Sequence, residues 1–522
     1  MNMRVADVAR IAGGTVHGDG DVMVHGIGLD SQELAEGALF AALPGTRNHG
    51  ARFAADTQAA AILSDAQGLE LLQQAGEQRP VIVVDDIRTI LGSVSSALYD
   101  NPSQKLCVIG ITGTSGKTTT SYLLEAGLMH AGLHVGLIGT TGTRINGVKV
   151  PTQLTTPEAP KLQELFARMV EQGVTHVVME VSSHALALGR VGGTQFDAAG
   201  FSNLTQDHLD FHPTMEDYFE TKAKLFDPSS ELSPEKSVIC IDDEWGQAMF
   251  GRAKHPWALA SKSSQEGEIV ANYFVEDAQS DDAGTQRFVL HTRGKRIPVD
   301  LNMPGAFNIT NASLAIALAD AVGVDATVVA EGVAAVGVPG RMQRIDAGQD
   351  FIAVVDYAHK PAAVAAVLDT IRAQTPGRVA VVLGAGGNRD VSKRALMGEA
   401  AASRADLLIV SDDNPRDEDP SQIRQAIIEG AQGVEDGAQV EEEGDRLEAI
   451  RKAVRWAQAG DAIVVAGKGH EVGQLICGVQ HHFDDREALE TAIHEALNTQ
   501  EHSADHSDEP SADHSAQAGD NA

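Results

Sequence analysis

The chain has little that would tie it to a nucleic acid, a membrane or an oxidising compartment. Only three cysteines occur in 522 residues, Cys107, Cys240 and Cys477. They are far apart and odd in number, so they offer neither a disulfide framework nor a zinc spacing, and a reducing cytoplasm is expected. Basic residues are scarce: 40 Lys and Arg stand against 73 Asp and Glu, a net charge of −33. That balance argues against nucleic acid or an anionic membrane surface as the main partner. No apolar run is long enough to span a bilayer, and residues 1–7 lead into no signal core. A phosphate-bearing ligand must then be held by local dipoles, metal ions and a few placed cations.

What is present is a globular composition, 43% hydrophobic with 52 glycines, in a chain too long for one core. The α/β pattern suggests three domains, at 1–103, 104–338 and 339–500, followed by an acidic tail at 501–522 expected to be disordered. The tail holds almost nothing apolar to offset its ordering entropy. In the first domain, strands are expected at 38–43, 60–63 and 80–84, with helices near 5–11 and 87–98. In the second, an apolar strand at 106–111 runs into Gly113-Thr114-Ser115-Gly116-Lys117-Thr118-Thr119 and then a helix. Such a turn aims backbone N–H groups, the positive end of a helix and one lysine at a single anion. Lys117 would reach terminal phosphate oxygens and the Thr118 hydroxyl a Mg²⁺ ion. The strict nucleotide-loop pattern asks for Gly at the position of Ile111. An ordinary strand-to-helix turn is the bland alternative, disfavoured by two glycines, the lysine and the threonines together.

Further strands are expected at 134–138, 175–180, 198–202 and 236–241, with polar clusters just beyond their carboxyl ends, where open α/β sheets bind ligands. Glu180 is there a candidate Mg²⁺ ligand, with a solvated strand-end carboxylate equally credible if it stood alone. His208 sits with Asn203, Asp207 and Asp210. Lys222, on a helix expected at 218–226, reads from periodicity as a surface lysine. An antiparallel flap is expected within 266–301, and Asn308 reads as the cap of the Ala-rich helix that follows. The third domain reads as a doubly wound sheet with strands at 351–356, 378–383, 406–410 and 461–466. Its Gly-rich turn at 384–390 does not keep a dinucleotide spacing.

Six motifs in order carry a resemblance. They are the phosphate loop, Met179-Glu180-Val181-Ser182-Ser183-His184, Asn203-Leu204-Thr205-Gln206-Asp207-His208-Leu209-Asp210, Gly340-Arg341-Met342, Asp356-Tyr357-Ala358-His359 and Asp413-Asn414-Pro415-Arg416. Together they resemble the Mur ligases of peptidoglycan precursor assembly, through all three domains and excluding only the tail. The resemblance implies an ATP- and Mg²⁺-dependent enzyme that phosphorylates the D-Glu carboxylate of UDP-MurNAc-L-Ala-D-Glu. The acyl phosphate is then attacked by the amine of meso-diaminopimelate. Lys117, Glu180, His208 and Lys222 match catalytic positions, with Thr118, Glu180, His208 and a carbamylated Lys222 associated with metal. Gly113 to Thr119, Asn308, Asn311, Arg341, Asp356 and His359 match ATP-binding positions. Asp30, Ser31, Thr155, Thr156, Ser182 and Arg190 match the UDP-sugar dipeptide site. Arg389, Asp413, Asn414, Pro415, Arg416, Gly467 and Glu471 match the diaminopimelate site.

Arg416 suits the extra carboxylate of diaminopimelate, which a guanidinium holds bidentately. Relatives that use lysine tend to lack this arginine. Gln32, Leu188 and Asn388 depart from residues frequent in the family. Small-molecule substrates, no nucleic acid, no membrane, a monomer and a cytoplasmic location are expected. A lysine-adding relative, a folylpolyglutamate synthetase-like ligase, a nucleotide switch and a silent scaffold remain as alternatives.

Overall fold

The computed structural model describes residues 2–45, 47–152, 154–261, 269–281, 284–334 and 336–505. The chain divides into two compact units, Met1–Val338 and Pro339–Ala522. No helix among the described residues is long and apolar enough to cross a membrane.

The first unit opens with a five-stranded sheet in the order Thr15–His17, Val81–Val83, Ala61–Ser64, Leu39–Ala41, Ile27–Gly28. All but the first strand run parallel. The expected strands and the helices Val5–Ala12 and Ile87–Leu98 are present. Helix Ala66–Gln74 went unread, although Asp65 announces it by accepting the Gly68 N–H at 2.7 Å.

An eleven-stranded sheet follows. Its middle is parallel, in the order Val135–Gly139, His176–Glu180, Cys107–Thr112, Ala198–Phe201, Lys236–Cys240, Pro256–Ala260. Cys107–Thr112 is buried along both faces apart from its first residue, because helices cover each side. Each fully buried Ile or Val there contributes about 1.5–3 kcal/mol. Register places Glu180 beside Ile111 and Phe201 beside Thr112, so three neighbouring strands end level with one another. Helix Lys117–His130 packs against Ala306–Ala321, whose buried residues include Ala312, Leu314, Ala315 and Leu318.

The expected antiparallel segment is present as Tyr273–Ser280, Gln286–His291 and Arg296–Leu301, and the pairing of Tyr273 with Leu259 joins it to the main sheet. Part of the expected flap lies outside the described residues. Three expectations need correction in this unit. Asn308 does not cap its helix: Gly305 holds that position, and Asn308 is buried inside with its amide donating to Pro304 O at 2.8 Å. The helix around Lys222 is Met215–Ala223, starting early because the Thr214 hydroxyl accepts the Asp217 N–H at 3.1 Å. Lys222 itself is 1% exposed and is no surface lysine.

The second unit is a six-stranded sheet in the order Gln343–Arg344, Ile352–Asp356, Ala462–Ala466, Val379–Leu383, Leu407–Val410, Gln439–Glu442, parallel except at the first strand. Asp356 lies beside Ala466 and Ala466 beside Leu383, so strand ends again align along one edge. Val355, Val382, Ile409 and Val465 pack under helical Ile450, Leu489 and Ile493. The fully buried Arg446 guanidinium meets Asp485 through paired contacts of 2.8 Å, which keeps two desolvated charges matched. The edge strand Gln439–Glu442 and the hairpin Val472–Ile476/Val479–Asp484 were not anticipated, being polar and partly exposed. The last helix, Asp485–Asp505, extends five residues into the stretch expected to be a disordered tail; the remainder of that stretch lies outside the described residues.

Candidate active site

The turn after Cys107–Thr112 is shaped by two glycines. Gly113 has φ 147°, and a Cβ there would fall 2.0 Å from Ser202 Oγ. Gly116, at the amino end of helix Lys117–His130, has φ 88°, and its Cβ would fall 2.3 Å from Asn311 Oδ1. Neither position accepts a side chain, which is why both are glycine. The loop is pinned from the neighbouring strand end. Ser115 N–H donates to Asn203 Oδ1 at 3.0 Å, and Ser202 Oγ donates to Ser115 O at 2.7 Å. Thr114 N–H donates to Asn203 O at 2.9 Å. Asn311 Nδ2 donates to Asn308 Oδ1 at 3.0 Å, tying both asparagines to one network beside the loop.

Lys117 Nζ donates to Gly113 O at 2.8 Å, and Lys222 Nζ donates to the same carbonyl at 2.9 Å. Lys222 also lies 4.7 Å above the Tyr218 ring, whose hydroxyl shares a 3.2 Å hydrogen bond with Thr114 Oγ1. Glu180 is 1% exposed. Its Oε2 accepts from Thr118 Oγ1 and Thr140 Oγ1, both at 3.0 Å, and its Oε1 from Thr140 N–H at 2.9 Å. His208, in the left-handed region at φ 56°, places Nε2 3.1 Å from Asp207 Oδ2, and its ring lies edge-on to His184 with centroids 4.9 Å apart. Thr118, Glu180 and Thr140 form an oxygen donor set that suits a hard cation. Among the described residues no group of three or more His, Cys, Asp or Glu side chains forms a complete cage. A divalent ion there would complete its shell from phosphate oxygens and water, as Mg²⁺ does.

The residues expected at the sugar-nucleotide dipeptide site divide. Thr155, Thr156, Ser182 and Arg190 gather near Glu180. Thr155 Oγ1 is 3.2 Å from Thr140 Oγ1, Thr156 Oγ1 donates to Glu180 O at 2.8 Å, and Ser182 N–H donates to Thr156 Oγ1 at 3.2 Å. Arg190 Nε donates to Glu158 at 2.9 Å, and Glu158 also accepts from Arg88 at 2.6 Å. Asp30 and Ser31 belong to the loop after Ile27–Gly28, where Asp30 accepts the Gln32 N–H at 2.8 Å.

In the second unit, Asp356 receives N–H groups from Met342 and Ala358 at 2.7 and 2.8 Å. Burial nevertheless pushes its carboxyl up, with the charge of Arg341 opposing. The Arg341 guanidinium covers the Tyr357 ring at 4.2 Å, and His359 Nδ1 is 2.8 Å from Tyr357 O. Farther along the same edge, Asn414 Nδ2 donates to Asp413 at 2.9 Å and to Glu471 at 3.0 Å. Gly467, at φ 121°, leaves no room for a Cβ, which would fall 2.7 Å from Asp413 Oδ2. Arg416, half-buried at φ 54°, donates to Gly387 O at 2.6 Å. Burial and then the nearby Arg389 charge lower its hold on its proton; a Cβ at Gly386 would stand 2.8 Å from Arg416 Nη1 and 3.7 Å from Arg389 Cγ, so both arginines flank that glycine. Glu471 is pushed up first by burial and next by Asp413.

Sequence reasoning missed Thr140, Tyr218 and Lys468. Lys468 is completely buried, 3.3 Å from Asn414 Oδ1. Its place in the Gly467-Lys468-Gly469-His470-Glu471 turn beyond a strand end was the available signal.

Three family patterns match in order: the Mur ligase family catalytic domain over residues 23–99, the Mur ligase middle domain over 111–319, and the Mur ligase glutamate ligase domain over 340–469. A UDP-N-acetylmuramoyl-L-alanyl-D-glutamate–2,6-diaminopimelate ligase of Corynebacterium glutamicum is 59% identical, covering 92% of this chain and 93% of the relative. The protein of the same name from Streptomyces coelicolor is 46% identical, covering 91% and 93%. A solved structure of such a ligase superposes with a TM-score of 0.65 at 31% identity, covering 95% of this chain and all of the other. A folylpolyglutamate synthase of Mycobacterium tuberculosis shares the fold, with a TM-score of 0.59 at 19% identity over 72% of this chain and 91% of its own. With near-complete coverage at up to 59% identity and all three patterns in sequence, the chain belongs to the Mur ligase family.

Proposed function

We propose that this chain is an ATP-dependent ligase that joins meso-diaminopimelate to the D-Glu carboxylate of UDP-MurNAc-L-Ala-D-Glu in peptidoglycan precursor synthesis. One observation carries the acceptor: relatives at 59, 56 and 46% identity over more than nine-tenths of the chain all bear the diaminopimelate ligase name. The carboxylate attacks the γ-phosphorus of ATP, giving an acyl phosphate and ADP; the amine then attacks the acyl carbon and phosphate leaves. We assign residues 1–103, 104–338 and 339–500 to the sugar nucleotide, ATP and amino-acid acceptor respectively.

In this reading the Gly113–Thr119 amides and Lys117 hold the phosphate chain, lowering the cost of charge moving onto the transferred group. Thr118 and Glu180 would hold Mg²⁺, with His208 beside a second ion; such ions supply charge neutralisation of the phosphoryl oxygens. Lys222 and Lys117 crowd one carbonyl oxygen, and carbamylation of Lys222 would exchange a second ammonium for an anion able to associate with metal. Asn308, Asn311, Arg341, Asp356 and His359 are assigned to ATP. Asp30, Ser31, Thr155, Thr156, Ser182 and Arg190 are assigned to the sugar nucleotide. Arg389 and Arg416 are assigned to the distal carboxylate of diaminopimelate, and Glu471, with Asp413, Asn414, Pro415 and Gly467 around it, to the adjoining ammonium. A monomer in the cytoplasm is the proposed setting.

The test is product mass. With ATP, Mg²⁺, the sugar-nucleotide dipeptide and meso-diaminopimelate, the tripeptide product and phosphate should appear in equal amounts. Phosphate release without any tripeptide would overturn the reading in favour of a simple ATPase.

A further inference from the structure

The most deeply buried charge on the candidate acceptor edge is Lys468, and nothing in the reading above gives it a task. Its ammonium is fully buried, 3.3 Å from Asn414 Oδ1, 3.8 Å from Glu471 Oε2 and 3.9 Å from Asp413 Oδ1. A buried ammonium with no compensation costs several kcal/mol, so this one persists because two carboxylates and an amide oxygen face it.

The geometry also fixes the neighbouring amide. The Leu475 backbone N–H can only donate, and it lies 2.9 Å from one side-chain atom of Asn414, which must be the oxygen. Lys468 donates to the same oxygen. The Asn414 nitrogen then spends its two hydrogens on Asp413 Oδ1 and Glu471 Oε2, at 2.9 and 3.0 Å. All four bonding directions of that amide are met within the protein, leaving it nothing to offer a ligand. Glu471 Oε1 accepts the Tyr357 hydroxyl at 3.3 Å, and because a carboxylate accepts about four hydrogen bonds, Glu471 keeps capacity for a ligand donor.

We infer that Lys468 is a positioning residue of the acceptor pocket: it locks the Asn414 amide and offsets one of the two carboxylates, so that Glu471 stays anionic and aimed at the ammonium group of the incoming amino acid. This rests on the ligase reading. Asn414 acts as the strut that passes the constraint from Lys468 to Glu471. Without Lys468, Asp413 and Glu471 would be left with the Arg416 and Arg446 charges to offset them, and a proton on one of the two carboxylates would become more favourable.

The experiment is steady-state kinetics of the full chain carrying Lys468→Met, which keeps the stem and removes the charge. The KM for meso-diaminopimelate should rise roughly tenfold or more, while KM for ATP and for the sugar-nucleotide dipeptide changes less than about twofold. Adding Asp413→Asn removes the excess negative charge and should recover a large part of the lost acceptor affinity, a rescue that a general packing defect would not show. Should Lys468→Met prove too unstable to assay, Lys468→Gln with and without Asp413→Asn makes the same comparison. An unchanged acceptor KM, an equal rise in all three KM values, or no rescue would overturn the inference. A wild-type chain that makes no tripeptide would instead overturn the ligase reading beneath it.

Discussion

Lys117 and Lys222 both donate to the Gly113 carbonyl, at 2.8 and 2.9 Å. Two ammonium groups on one acceptor is a poised arrangement, and it separates their tasks. Lys117→Ala should lower kcat by about a hundredfold to a thousandfold while the fold survives, since it removes one preorganised contact to developing phosphoryl charge. Circular dichroism and phosphate release together check this. Lys222→Ala should abolish turnover, and a small carboxylic acid added to the assay should restore part of it by standing in for a carbamate. Full activity of that variant without additive would refute the carbamate role. Lys222 was the least legible residue of the site. Its sequence neighbours mix polar and apolar residues and a lysine is ordinarily exposed, and only the fold turns Thr221 and Lys222 toward the strand ends. Lys468 was hidden for a related reason, because its burial depends on Asn414 and Glu471, distant in sequence from each other. Glu180 was legible as the polar end of the apolar strand His176–Glu180, whereas the role of Arg416 came only with the resemblance.

The Gly113–Thr119 turn is also a structural joint between elements. Gly116→Ala would force a Cβ into a left-handed backbone and against Asn311 Oδ1, 2.3 Å away. A destabilisation of about 1–3 kcal/mol is expected from backbone strain, read as a lower denaturation midpoint. In the amino-terminal sheet, Arg79 binds Ala54 O, Thr57 O and Ala59 O while its guanidinium pairs with Glu77. Hydrogen bonding to Arg79 first, with its charge and nearby backbone N–H groups adding, draws the Glu77 carboxyl from 4.5 down to about 2, against burial. A depressed acid stabilises the fold above its unfolded value and loses that contribution as pH falls through the folded one. Glu77→Gln should therefore be less stable than the parent at neutral pH, with the gap closing as acid approaches pH 2, as urea midpoints at several pH values would reveal. Parallel strands were legible because they are continuous apolar runs. The edge strand Gln439–Glu442 and the hairpin at Val472 were not, since a half-exposed pairing leaves no such run.

At the scale of the whole molecule, the chain repeats one solution in each unit: parallel strands end level, and the polar turns beyond them collect chemistry on a single edge. The first unit gathers the Gly113–Thr119 turn and the buried Glu180 carboxylate on that edge. The second gathers two guanidinium groups and the Asp413–Glu471 pair. The surplus of acidic residues then makes sense of how local the cationic features are, since the −33 net charge would otherwise repel polyanionic substrates. In the proposed reading Arg416 supplies the physical basis of the acceptor preference, because a guanidinium can match the distal carboxylate of meso-diaminopimelate, which left unmatched would cost several kcal/mol. The most direct measurement is the ratio of kcat/KM for meso-diaminopimelate to that for L-lysine, with tripeptide product counted for each. The account predicts a preference of roughly a hundredfold or more for meso-diaminopimelate. Equal use of the two amines, or a preference for lysine, would contradict it.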